Sequence, residues 1–442
     1  MRINMSISNN LKRSATPSFE DTSSKSARIE AFATLPEDIQ LKVTSILNEA
    51  KNSRAELRNY FRVVEDSARQ PLYIVREKNG VIELGLVEKK LGAGGIGCVY
   101  KVSMLETGQT VALKMAPIIL NYHHEACYQD KELVQIECKI VDDVIAKINP
   151  DGAIRGLPKP LLESCVLANA ANKNNPHMED VVGFLMELAD HDYHKQAEYN
   201  KKTLFFARIG EEFKDIANGI AKLNQTHMHG DIKPANIVCK SGRAMVVDFG
   251  KVRELSTLWN RIDDDTDHSN VPREDSDRFN SLPAIIESDK GDLLEKARRK
   301  LKKAMGKEDL YAIFQLRKNV HALEQEIAEL KEECPMLGKA MDVFGAGLAF
   351  FKRCYDQAPY ERIGSLDNAI VFKKEGDKLI PLRPRQVKTV KLPSGLKELM
   401  EQMLDPYPKN RPSAEEVLNR LEQIFPELDP SDPLWDLALW NG

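Results

Sequence analysis

Apolar residues recur along this chain with two different periods. In the first half they come in short runs bounded by turn residues. Leu72–Val75 and Val81–Leu84 flank Asn79-Gly80, a pair that favours the positive φ angles of a two-residue hairpin. Val99–Val102, Val111–Lys114 and Gly183–Ala189 read as further strands. In the second half the spacing becomes helical. Phe205–Thr226 predicts a long amphipathic helix. Ile140, Val141 and Val144 place an earlier helix within 125–148. Ile237-Val238 and Met245–Val247 predict two short strands joined by a turn at Ser241-Gly242. Near the start, Ile39, Val43, Ile46 and Leu47 share one helical face, and Leu57, Phe61 and Val64 predict a second helix. Ile313, Leu316, Val320, Leu323, Ile327 and Leu330 follow a 3-4-3-4-3 spacing. That is either a helical hairpin packed on the chain itself or a coiled-coil seam for a partner via 313–330. Strand-rich first and helix-rich afterwards, the chain is expected to be α+β.

Composition refines this only in part. With 442 residues, 42% hydrophobic and 29% charged, the chain can build a sizeable soluble core. A net charge of −4 gives no reason to expect a nucleic-acid partner. The longest apolar run, Val343–Phe351, is far short of the roughly 20 residues that cross a bilayer, so no transmembrane segment is expected. Seven cysteines without a Cys-x-x-Cys pair suit a reducing, cytoplasmic compartment. Residues 1–34 are expected to be disordered, being rich in Ser, Asn and Thr and acid-free before Glu20. Such a start resembles the export signal of bacterial effectors delivered by a needle-type apparatus, which would place the protein in host cytosol.

The chemistry gathers in His227–Gly250. Asp231 is followed by Lys233, Asn236 and, after the two short strands, by Asp248-Phe-Gly250. A carboxylate that accepts a hydroxyl proton and oxygen ligands for a hard cation are what phosphoryl transfer needs. Upstream lies Leu91-Gly-Ala-Gly-Gly-Ile-Gly97, whose Gly92, Gly94 and Gly97 leave backbone N–H groups unobstructed. A strand, not a helix, follows it, which disfavours a dinucleotide fold. Downstream, Leu404–Leu418 contains Arg411 and a capping-box pattern at Ser413 and Glu416.

These motifs, in this order, make the chain resemble the protein kinase family over about residues 72–427. The resemblance implies a bilobal protein-kinase-like fold: a β-rich N-lobe at 72–188 and a helical C-lobe at 189–427, with a helical insertion at about 253–338 and a tail at 428–442. It implies an ATP- and Mg²⁺-dependent serine/threonine kinase acting on protein hydroxyls. Asp231 would orient the hydroxyl, Lys233 would offset γ-phosphate charge, and Asn236 and Asp248 would bind Mg²⁺. Lys114 would grip phosphates in partnership with Glu137, chosen over Glu132 for the apolar residues that follow it. Gly92, Gly94, Gly97, Val99, Ala112 and the backbone of Glu187 and Ala189 would enclose the nucleotide, with Met186 behind adenine. Gly230 stands where many members carry the arginine that reads activation-segment phosphate, which implies a non-RD type. An acidic, flexible segment is expected to run to about Asn280, with Thr266, Ser269 and Ser276 as candidate phosphosites. The Ala-Pro-Glu motif is absent, and Glu287 and Glu333 are the candidates to pair with Arg411. Asp342–Gly347 resembles the family's buried large-lobe helix. A basic run from Lys296 to Lys307 is read as a solvated face, or as a surface for an anionic membrane or acidic partner. His229-Gly230-Asp231 also fits small-molecule phosphotransferases, and a nucleotide-binding scaffold is a further alternative. Residues 35–70 are expected to form a helical hairpin. Leu35–Leu47 resembles the start of an F-box, which implies a ubiquitin-ligase adaptor as partner via 35–68.

Overall fold

The computed structural model describes residues 60–65, 71–78, 81–93, 97–105, 107–115, 118–120, 126–128, 131–159, 166–167, 183–193, 206–260, 271–360, 362–363, 368–375, 378–387, 392–393 and 395–426, together with Glu37, Gln40, Leu41 and Thr44. Its architecture is mixed α+β, an N-terminal antiparallel curled sheet followed by a largely helical region.

The sheet is built from β1 (Tyr60–Glu65), β2 (Pro71–Lys78), β3 (Val81–Ala93), β4 (Cys98–Met104), β5 (Thr110–Met115), β6 (Val166–Leu167) and β7 (Gly183–Glu187), in the order β6-β1-β2-β3-β4-β5-β7. Lys78 pairs with Val81, the register a two-residue Asn79-Gly80 connection dictates. Along β3 the register against β4 slips twice, between Val87 and Lys89 and between Lys90 and Gly92. Each slip puts an extra residue on one side and increases the local twist, which curls the sheet. Tyr60–Glu65 corrects the sequence expectation of a second N-terminal helix. The run Tyr-Phe-Arg-Val-Val is aromatic and β-branched, and pairing with β2 outweighs an apolar spacing compatible with a helix. The sheet therefore begins before residue 72, and the helical hairpin expected at 35–70 does not extend through it. Glu37, Gln40, Leu41 and Thr44 are helical, as expected, and most of residues 35–59 lie outside the described set.

Between the strands, a helix α1 runs Lys131–Ile140, continues as a π-turn at Val141–Ile145 and ends at Ala146–Ile148. The helical region contains α2 (Phe206–Leu223), α3 (Arg273–Ala284), α4 (Asp292–Met305), α5 (Leu310–Tyr355), α6 (Leu396–Met403) and α7 (Ala414–Ile424). α3 leads into α4 through a π-helical turn at Ile285–Gly291. The 46-residue α5 unites two segments that the sequence analysis kept apart, the seam and the buried helix of Asp342. Its C-terminal half carries Val343, Phe344, Phe350 and Phe351 into a core shared with α2, α6 and α7. Phe213 of α2 stacks on Phe350, with centroids 3.8 Å apart. Among the described residues α5 is the one helix long and apolar enough to cross a membrane, but 83% of its apolar window is buried in this core.

The N-terminal half of α5 packs along α4. Its seam residues are half-buried, with Leu323 buried, and Arg298–Glu324 and Lys290–Glu326 ion pairs cross between the two arms. The seam is thus used within the chain, against α4, rather than lying on the helical core as the hairpin reading expected. The segment expected to stay flexible to about Asn280 becomes helical at Arg273, and Ser276 is buried, which removes it as an accessible phosphosite. Thr266 and Ser269 lie outside the described residues.

Candidate functional site

A cleft of about 500 Å³ opens between the sheet and the helical region. One wall is strand: Gly92 on β3, Val99 on β4, Ala112 and Lys114 on β5, Met186 and Glu187 on β7, then Leu188 and Ala189. Their registers explain the convergence. Gly92 pairs with Val99, and Ala112 pairs with Met186, so alternate residues of adjacent strands present one face. The other wall comes from Ala235, Asn236, Val238, Met245, Val247 and Asp248. Gly97 is described and buried but does not line the cleft, and Gly94 lies outside the described residues.

Two short strands, β9 (Ile237–Lys240) and β10 (Arg243–Val246), form a hairpin and join β8 (His191–Asp192) in a small sheet. Ser241 and Gly242 both have positive φ, 49° and 78°, as a tight two-residue turn requires. The hairpin returns the chain so that the Val247 amide donates to the Asn236 carbonyl at 2.9 Å. Asp248 therefore follows the return strand back to Asn236. Its own backbone is left-handed, φ 70° and ψ 71°.

Lys114 joins both walls. Its Nζ lies 2.6 Å from Glu137 Oε2 and 2.9 Å from Asp248 Oδ1. α1 is held in place by apolar packing, with Val141 and Ile145 against Phe249, the neighbour of Asp248. Burial works against a charge on Lys114, but Glu137 and Asp248 outweigh it and hold the pKa above its ordinary value. Burial pushes the Glu137 carboxyl up to about 7, against the pull of Lys114. Burial also opposes ionisation of Asp248, yet Lys114 keeps its pKa below the usual carboxylate range.

Asp231 is buried beside this trio. Lys233 Nζ lies 2.7 Å from its Oδ2, and Asn236 Nδ2 donates to its carbonyl and to Oδ2 at 2.9 and 3.0 Å. Lys251, directly after Asp248-Phe-Gly250, lies 3.8 Å from Oδ1. Sequence reasoning passed over Lys251, although a cation next to that motif was a visible signal. It also missed Pro158, Lys159 and His191 on the cleft wall, which no local pattern announces.

The loop of Asp231 hangs from α5. Asp342 accepts from the amides of His229 at 2.7 Å and Gly230 at 2.9 Å, and from Asn224 Nδ2 at 2.9 Å. Gly230 has φ +77°, and a Cβ there would meet the Lys251 carbonyl at 2.9 Å, so the position favours glycine. His229 Nδ1 accepts from the Asp231 amide at 3.2 Å, which puts the ring proton on Nε2. Burial lowers the pKa of His229 despite the nearby carboxylates, and burial raises that of Asp342.

Arg411 is buried as expected, but its partner is Asp275, at 2.7 Å, and not Glu287 or Glu333. Glu333 instead makes a bidentate pair with Arg278, both contacts 2.7 Å. An aspartate on the first turn of α3 reaches where the shorter side chain and the early helix start allow. Ser413 and Glu416 form the expected capping box on α7.

The arrangement offers a carboxylate with one oxygen held by two donors, a lysine fixed between two acids, and oxygen donors at Asn236 and Asp248 suited to a hard cation. Among the described residues no cluster of three or more His, Cys, Asp or Glu side chains could hold a metal alone. Compared with models of known protein families, the chain matches none, and no curated protein matches it.

Proposed function

We propose that this protein is an ATP- and Mg²⁺-dependent serine/threonine protein kinase with a bilobal, protein-kinase-like fold. One observation carries the reading. Lys114, from the sheet, contacts both Glu137 and Asp248 on the cleft wall, and Asn236, on the same wall, bonds the buried Asp231. Those groups come from four separate stretches of chain, and phosphoryl transfer requires all of them together.

The donor set fits magnesium. Asp248 stays ionised, and Asn236, with its nitrogen committed to Asp231, has its amide oxygen as the end left for a cation. Mg²⁺, when bound, supplies charge neutralisation at the phosphate oxygens. Two side-chain ligands suffice for an ion that otherwise keeps phosphate and water oxygens. Gly92, Val99 and the Ala112–Met186 wall enclose the nucleotide, and the backbone of Glu187 and Ala189 bonds its base. Lys114, fixed by Glu137, holds phosphate oxygens. Asp231 orients the attacking hydroxyl and takes its proton as the new O–P bond forms and the bond to the leaving phosphate breaks. Lys233 offsets negative charge on the transferred group, and Lys251 adds a second positive charge close by. Asp342 positions the Asp231 loop from behind.

The test is transfer of labelled γ-phosphate to a generic basic protein, with phosphoamino-acid analysis. Wild type should yield phosphoserine or phosphothreonine. Lys114→Ala and Asp231→Asn should each lose at least about a hundredfold in rate, in line with removal of a positioning or proton-accepting group. Nucleotide binding without transfer to any protein, unchanged by Asp231→Asn, would overturn the proposal.

A further inference from the structure

The end of the α4–α5 hairpin carries a surface that the cleft does not use. α4 stops at Met305, the chain turns through Gly306–Asp309, and α5 starts at Leu310. Four large apolar side chains stand in solvent around this turn: Met305 at 51% exposure, Leu310 at 80%, Tyr311 at 76% and Phe314 at 65%. Scattered single exposures are ordinary, but four on one tip are a cluster. Lys300, Lys302 and Lys303 on the last turns of α4 and Lys307 in the turn are all exposed beside them in the chain. Among the described residues no carboxylate lies within ion-pairing distance of these four lysines, whereas Arg298 and Arg299 are paired to Glu324 and Glu295. Two acids sit in the turn. Asp309 is committed to capping α5, accepting from the Ala312 amide at 3.0 Å, and Glu308 is the remaining opposing charge.

We propose that this tip docks onto an anionic lipid surface, with the apolar residues entering the headgroup boundary and the lysines facing lipid phosphates and carboxylates. The shape favours lipid over an acidic protein. The apolar residues project from the convex end of a hairpin, so a rigid partner would need a matching groove, whereas a bilayer yields around them. Tyr311 suits the interface, having an apolar ring and a polar tip. Lysine clusters near an anionic leaflet add attraction that falls off within a Debye length. The site is also well separated from the cleft. From Leu310 to Asp342 is 32 residues of continuous helix, about 48 Å at 1.5 Å per residue. Docking therefore leaves the cleft accessible, and the proposal does not depend on what the cleft does.

The experiment is co-sedimentation of the full chain with vesicles of neutral phosphatidylcholine and with vesicles containing about 30% phosphatidylserine, a composition chosen to give a strongly negative surface. Binding is expected on the anionic vesicles, weakened by salt. Tyr311→Ser/Phe314→Ser and Lys302→Glu/Lys303→Glu should each reduce it about tenfold or more. All four side chains are exposed, so melting temperature and helical content should stay as in wild type, which separates lost docking from lost folding. Absence of binding to anionic vesicles overturns the proposal. So does binding that the charge variant loses but the aromatic variant keeps, particularly if soluble polyglutamate competes equally, because that marks an acidic protein partner.

Discussion

At the scale of single residues, the loop of Asp231 depends on His229 staying neutral. Its Nδ1 accepts from the Asp231 amide, and a proton there would break that contact. Burial lowers its pKa below the ordinary 6.5, with Asp342, Asp231 and Asp248 pulling the other way. The sign follows. Below about pH 6.5 the unfolded chain takes up a proton at this position that the folded chain refuses, so folding loses stability on acidification and regains it as pH rises through that value. The slope from this one group is at most about 1.4 kcal/mol per pH unit. Urea unfolding at about pH 5.5 and about pH 7.5 should show the loss in wild type and a smaller one in His229→Asn. Equal slopes in the two proteins would remove His229 from the account. The same scale shows what sequence could and could not reveal. Lys114, Asp231, Asn236 and Asp248 were singled out by local patterns and Glu137 by the apolar residues that follow it, and the structure brings these side chains together. Asp275 was not, because a buried ion pair is decided by where a helix begins, and no pattern near residue 275 fixes that relative to Arg411, 136 positions away.

At the scale of elements, α5 is the beam that carries the site. Asp342 bonds the loop backbone, and three residues on Gly345 lets the same loop lie against the helix. A Cβ at Gly345 would meet the Ile232 carbonyl at 2.4 Å and Ile232 Cβ at 2.9 Å, contacts with backbone that cannot swing away. Gly345→Ala would ordinarily favour a helix by about 1 kcal/mol. Here the overlap outweighs that gain, and the expected result is a lower melting temperature with a still larger fall in the proposed phosphotransfer, as Asp231 shifts. A stabilised, fully active Gly345→Ala protein would show that the loop does not rest on α5. The continuity of α5 was hidden in the sequence because its two halves follow different patterns, a spaced seam and then a nearly unbroken apolar run. Each half was read correctly as helix, but only tertiary packing shows that no break separates them. β1 was misread for a related reason. Phe61 and Val64, three apart, suit a helical face, and only the neighbouring β2 selects the strand.

For the whole molecule, the structure separates what builds the core from what extends beyond it. Of residues 299–318, none is buried, and only Leu301, Ala304, Ala312, Ile313 and Leu316 are half-buried. Burial along α5 becomes continuous only near Cys334, where Leu337 and Met341 join Phe279 and Leu282 of α3. A chain in which residues 299–318 are replaced by a short Asn-Gly turn, joining Arg298 to Asn319, gives up little apolar burial and removes a long exposed extension. It should unfold in one cooperative transition within about 4 °C of wild type. It should also keep the proposed phosphotransfer to a soluble basic protein, because Asp342 and Arg411 keep their partners. Vesicle binding should be lost. A steep drop in melting temperature would mean that the hairpin arms stabilise the core through α5, and the exposed lysines and aromatics would then be the surface of a structural brace.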